Sequence, residues 1–232
     1  LDVALGVRIL PLGLPQNEYV PVTSNIDLEV KTTDGTHPSA LREIVLDVDK
    51  DLKLNAKGYP TCPGGRFDTR PHNTNAVLKA CGAALLGKGT ADYEIAFPEQ
   101  KPIQVSSPLL VFNGGEKGGK VTLLIYTLIK VPAPTAIVTT VTITRKGSGI
   151  HSIAKVPVIA GGSGSVLDFD FRLGRTYDYR DKKVGYFEAK CPDEIFKVNA
   201  PSVIFKNEAH TPGVAATATL KGGLAVPCTP RG

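Results

Sequence analysis

The sequence predicts an all-β protein: an antiparallel β-sandwich, jelly-roll or immunoglobulin-like, of about ten or more strands with one short helix near residues 75–86. Three observations predict it. Apolar and polar residues alternate with period two over many short segments. Gly and Pro fall at the joints between them, about 10–20 residues apart. One segment alone has sustained helical spacing.

The first residues set the pattern. Leu1, Val3, Leu5, Val7 and Ile9 share one face, with Asp2, Ala4, Gly6 and Arg8 opposite. This is a half-buried strand, and Pro11, Gly13 and Pro15 end it. Ile26, Leu28 and Val30 alternate with Asp27, Glu29 and Lys31 as a second strand, closed by a Thr33-Asp34-Gly35 turn. Leu41 to Leu54 reads as strand, with Ile44, Leu46, Val48, Leu52 and Leu54 in phase. Asn75 to Leu86 places Ala76, Val77, Ala80, Cys81, Ala84 and Leu85 at helical spacing, with Thr74 as N-cap and Gly87 as terminator. Ile103–Val105 and Leu109–Phe112 follow, with a turn at Asn113-Gly114-Gly115. Val121 to Val131 is almost continuously apolar, as expected of a strand buried on both faces. Segments 137–144, 150–159, 166–173, 184–189, 203–205 and 215–220 complete the series. Pro132–Pro134 is the one candidate division of a single 1–232 domain. It is too short for a flexible linker, and the strands beside it are expected to pair.

Composition narrows the class. Charged residues make up 21% and apolar residues 42%, which argues for a folded core. Aromatics are 6%, without Trp or Met, so that core is aliphatic. The net charge of +5 is scattered over Arg66, Lys79, Lys88, Lys117, Lys120, Arg145, Arg172 and Lys190. A nucleic-acid binder would gather its cations in a stripe with aromatics, so that partner is not expected. Weak attraction to anionic envelope polymers is the partner this charge allows. No segment has the roughly 20 apolar residues of a membrane-spanning helix. A start at Leu1 fits a mature chain from which a signal peptide has been removed. No Asn-x-Ser/Thr sequon occurs.

Cys62, Cys81, Cys191 and Cys228 form an even set with three possible pairings. Sequence proximity favours Cys62–Cys81 and Cys191–Cys228. The first would clip the Pro60–Pro71 loop to the helix, and the second would fasten the tail. No Cys-x-x-Cys or His-x-x-x-His spacing supports zinc. Pro follows Cys62 and Cys191, which argues against an activated thiol.

Candidate chemistry is sparse. Asp47, Asp49 and Asp51 would share a strand face and are the candidate calcium ligands, though Leu52 and Gly58 depart from an EF-hand loop. His37, His72, His151 and His210 are dispersed, which leaves a cupin-type metal site unsupported. Gly161–Ser165 lacks a following Lys and opens a strand, so it is not a phosphate loop. Asp168 and Asp170 alternate with Phe169 and Phe171, but the Glu-x-Asp-x-x-Glu pattern of jelly-roll glycosidases is absent. Tyr177, Tyr179 and Tyr186 are candidate glycan-stacking residues. No cofactor is implied.

Several segments resemble a group of secreted, uncharacterised proteins of high-GC Gram-positive bacteria. They are Pro38-x-Ala40-Leu41-x-x-Ile44-x-Leu46-Asp47-x-Asp49-Lys50, Lys57-Gly58-x-Pro60-x-Cys62 and Ala80-Cys81-x-x-Ala84-Leu85-x-Gly87-x-Gly89. Phe112-Asn113-Gly114, Tyr177-x-Tyr179 and Pro227-Cys228 add to the likeness. The resemblance implies export and a two-disulfide β fold, and it implies no activity.

The expected function is therefore non-enzymatic. The first expectation is a secreted or cell-surface structural protein that self-assembles into oligomers or filaments through β surfaces. Leu1, Val3, Leu5, Val7 and Ile9 would then form the assembly strand, paired at home or donated to a neighbour. The alternative is a secreted module that binds glycans or lipids. A secreted hydrolase ranks third.

Overall fold

The computed structural model describes residues 1–63, 67, 73–97, 100–147, 149–210 and 215–231. The strands in chain order begin with β1 (Asp2–Leu10), β2 (Gly13–Pro15), β3 (Val20–Lys31), β4 (Ala40–Val48) and β5 (Leu52–Leu54). Helix α1 (Thr74–Cys81) precedes β6 (Leu85–Ile95), β7 (Ile103–Lys117), β8 (Lys120–Ile129), β9 (Thr135–Lys146) and β10 (Gly149–Lys155). Then come β11 (Gly164–Leu173), β12 (Thr176–Tyr179), β13 (Lys182–Gly185), β14 (Phe187–Ala189), β15 (Ile195–Lys206), β16 (Thr217–Pro227) and β17 (Thr229–Arg231).

Thirteen of these strands form one antiparallel sheet, in the order β16-β15-β4-β10-β9-β8-β7-β6-β11-β3-β14-β5, with β1 beside β3. The sheet folds over on itself as a sandwich around an aliphatic interior. Its inner side chains form one cluster running from Ile9 through Leu28, Val111, Ile143 and Phe171 to Val226. β1 and β16 approach each other without a hydrogen-bonded ladder among the described residues. Two ribbons complete the fold: β12 with β13 antiparallel, and β2 with β17 parallel.

The first strand lies in its own chain's sheet. Asp2 to Leu10 pairs with Lys31 to Thr23 of β3 in continuous register. The strands on either side of Pro132–Pro134 pair from Val121–Ile143 to Ile129–Thr135, as expected. β8 is buried on both faces. Leu123 and Ile129 point into the sandwich, while Leu124, Tyr126 and Leu128 point outward under α1 and the Cys62 loop. Cys62 is joined to Cys81, and Cys191 to Cys228. Of the loop clipped by the first disulfide, residues 64–66 and 68–72, including Arg66 and His72, lie outside the described residues.

Three local expectations change. The helix stops at Cys81 and passes through a 3-10 turn at Gly82–Ala84 into β6. Leu85 and Leu86 start that strand because one side chain fills the outer cluster and the other the inner. The helix N-cap is Asn73, whose side chain accepts from the Ala76 amide, rather than Thr74. Finally, Asn113-Gly114-Gly115 makes a bulge inside β7 instead of a turn. Asn113 Oδ1 accepts from the Gly115 amide at 3.1 Å, and Gly115 sits at φ 98°, which only Gly adopts readily. The chain reverses later, at Gly118-Gly119.

Candidate functional site

Strand alternation sends one row of side chains from each strand into the sandwich. In the middle of the interior these rows do not meet. A cavity of about 190 Å³ remains, lined by residues of β1, β3, β4, β6, β7, β8, β9, β10, β11 and β15 among others. Leu5, Val7, Ile26, Leu46, Ile125 and Val141 all face inward on this lining yet stay partly accessible. No lining residue is charged. Its polar members are Ser24, Tyr93, Thr127, Thr139 and Ser152.

Two of these hydroxyls stand out. Thr127 is 2% exposed, with its Oγ1 fully buried. Tyr93 is 4% exposed, and burial pushes its phenol up to about 12. A side-chain hydrogen bond with Thr127 opposes that shift. Ser152 Oγ donates to the Leu46 carbonyl at 3.4 Å.

The candidate calcium ligands do not converge. β4 stops at Val48, so Asp49 and Asp51 lie on a turn and do not share a strand face with Asp47. Asp49 makes that turn: its carboxylate accepts from the Asp51 amide at 3.0 Å and the Lys197 amide at 2.8 Å. Asp47 meets His151 Nδ1 at 2.5 Å and Lys146 Nζ at 3.1 Å, and the His151 contact is the first cause holding its carboxyl below the usual range. Asp51 is 3% exposed beside Lys190 Nζ at 3.5 Å, and burial raises its carboxyl. Among the described residues no group of three His, Cys, Asp or Glu side chains is placed to hold a metal ion.

The glycan-stacking set is also divided. Tyr186 is fully buried, with its hydroxyl donating to Asn113 Oδ1 at 2.9 Å, so it offers no ring face to a sugar. Tyr59 packs edge-on against both Tyr177 and Tyr186, at 5.1 and 5.3 Å between centroids. Tyr177 donates to the Lys57 carbonyl at 2.8 Å and pins the segment after β5. Tyr177 and Tyr179 do line a surface groove of about 840 Å³, together with Tyr19, Lys53, Lys57 and Glu188. The assembly-strand residues Val3, Leu5, Val7 and Ile9 pack into their own core, whereas Leu1 precedes β1 and is exposed.

Two constellations have no local sequence signal. The first is Glu94–His37–Ser165. His37 Nδ1 lies 2.8 Å from Glu94 Oε1, and His37 Nε2 lies 3.1 Å from Ser165 Oγ. This is the contact order of a hydrolytic triad. Ser165 is only 1% exposed, however, and its hydroxyl donates to the Pro38 carbonyl at 2.5 Å. With that proton on the Pro38 carbonyl, Oγ does not offer it to His37 Nε2, which is the transfer a nucleophile needs. The contacts tie the 32–39 loop to β6 and β11. The second is an acidic ladder on the outer face, where Glu29, Asp168 and Asp92 lie abreast and Asp170 lies opposite Asp27. Burial first, then Asp92 and Glu29, raises the Asp168 carboxyl. Gly6 makes room for this face, since a Cβ there would sit 2.2 Å from Asp27 Oδ2.

The chain matches no family model, no curated protein and no solved structure.

Proposed function

We propose that this protein is a secreted, non-enzymatic binding module that holds a small apolar molecule inside its β-sandwich. The observation that carries this reading is the aliphatic cavity of about 190 Å³. Protein interiors are close-packed and hold few voids larger than a water molecule. An apolar space of this size leaves wall surface that a bound hydrocarbon would cover. The two disulfides support an oxidising, extracytoplasmic setting, and the resemblance to exported proteins points the same way. The commitment of the Ser165 proton to Pro38 supports binding over hydrolysis.

Thermal unfolding in the presence of toluene tests this. Ligand at 100 times its dissociation constant adds about 2.7 kcal/mol, so the midpoint should rise with toluene concentration and saturate. A midpoint that never rises sinks the reading.

Self-assembly is the second reading. The edge of β1 that faces away from β3 has no ladder partner among the described residues, and such an edge can template a neighbouring strand. Sedimentation over a hundredfold concentration range should show oligomers. A monomer throughout would remove this reading and leave the first untouched.

A further inference from the structure

We propose that the ligand of this sandwich is a single-chain anionic amphiphile, with its hydrocarbon tail in the cavity and its acidic head held by cations at the cavity's mouth. This rests on the binding reading above and names its ligand class.

The observation that carries it is a junction. Leu52, Ile143 and Ile150 line the apolar cavity and also line the surface groove of Tyr177 and Tyr179. The two spaces therefore meet at these three residues. Strand alternation shows how the character changes there. Ile137, Thr139, Val141 and Ile143 are the inward row of β9 on the cavity wall. The next residue of that row is Arg145, which lines the groove. It stands opposite Ile150 in the ladder between β9 and β10. A largely aliphatic row thus ends in a guanidinium at the rim. Lys50 and Lys53 bracket Leu52 in the chain, and both line the groove as well.

The charge of the groove is unbalanced. Lys50, Lys53, Lys57 and Arg145 line it with Glu116 and Glu188, four cations against two acids. Among the described residues none of the four cations forms an ion pair. Lys53 Nζ lies instead over the Tyr19 ring, 3.5 Å from its centroid. Asp51 feels Lys50 at longer range but pairs with Lys190 at 3.5 Å. An anion entering the groove has no existing pair to break. The cavity has no charged lining residue, so an ionised head that followed its tail inside would lose its hydration uncompensated. Lys and Arg donate to carboxylate and phosphate oxygens alike, so head charge defines the class. A cationic head would meet the excess of like charge.

Size sets the tail. An apolar cavity of about 150 Å³ admits benzene, so about 190 Å³ takes about eight non-hydrogen atoms. That is one chain of medium length and excludes the paired long chains of a membrane lipid.

The test titrates decanoate, 1-decanol, decylamine, acetate and toluene calorimetrically into the wild type, the double variant Lys50→Gln with Arg145→Gln, and Ala154→Leu. Lys50 and Arg145 are exposed, so the double variant is expected to fold. Decanoate should bind the double variant about fivefold to tenfold more weakly than the wild type, the effect of two partly exposed charge pairs. Decanol should bind both equally, decylamine should bind more weakly than decanol, and acetate should not bind. Ala154→Leu should weaken decanoate, because it fills the space of the tail. If decanoate and decanol bind alike and neither responds to the double substitution, the head anchor is wrong while the binding reading stands. Acetate binding as tightly as decanoate, or decanoate indifferent to Ala154→Leu, would put the ligand outside the cavity and overturn the proposal. Toluene binding without any decyl compound would overturn it too, and again leave the binding reading intact. If toluene and the decyl compounds all fail to bind, the binding reading itself fails.

Discussion

Ala154 lies on β10 between Ile44 of β4 and Val141 of β9, with its methyl group on the cavity wall. Replacing it by Leu adds three carbons into space that holds no protein atoms. At about 0.8 kcal/mol per buried methylene the gain is roughly 2.4 kcal/mol. Fixing the Leu rotamer costs about 0.5–1 kcal/mol. Ala154→Leu should therefore stabilise by about 1.5 kcal/mol. For a chain of this length that raises the thermal midpoint by about 3–6 °C. Urea unfolding should move the midpoint upward at an unchanged slope. Toluene should stabilise the variant less than the wild type, because the added carbons occupy its volume. If the interior is in fact close-packed, the same substitution overpacks it and costs about 1–3 kcal/mol. A destabilised variant that binds toluene as before would refute the reasoning.

A fluorophosphonate should leave Ser165 unmodified in the native protein, and a stoichiometric adduct there would overturn the non-enzymatic assignment. Asp168 has a folded-state pKa above its unfolded value, so its ionised form costs stability at neutral pH. That cost should vanish as pH falls through the raised value, and Asp168→Asn should flatten this part of the profile by a few tenths of a kcal/mol after solvent screening. Asp47 is the opposite case: its folded pKa lies below the unfolded one, so its contribution is present above the unfolded value and is lost as pH falls through the folded value. Asp47→Asn should remove that acid-side loss in pH-dependent melts.

The strands were legible because their signal is local. Period-two alternation from Val3 to Ile9 or from Ile26 to Val30 needs only neighbouring residues, and one buried face enforces it. The helix was legible for the same reason, but its end was not. Leu85 and Leu86 continue an apolar run, and only the two cores on opposite faces of β6 decide that they begin a strand. Asp47, Asp49 and Asp51 misled because alternation was carried past Val48, where an Asp49 turn breaks it. Tyr186 misled because an aromatic residue beside acids resembles a sugar platform until Tyr59 packs on its ring. His37 and Ser165 are 128 positions apart, and no spacing rule joins them. The cavity was the least legible feature. Leu5, Ile26 and Val141 read as ordinary core residues, and the gap between them depends on how the long sheet folds over on itself.

Xenon locates an apolar cavity directly, because it enters such spaces without needing a polar partner. Diffraction from crystals held under xenon should show the gas inside the sandwich, in the space lined by Leu109, Thr127, Val141 and Ala154. Electron density for a ligand carried through purification at the same place would support the account equally. An interior free of both, with side chains in contact across it, would contradict the claim that this sandwich is built around a binding space.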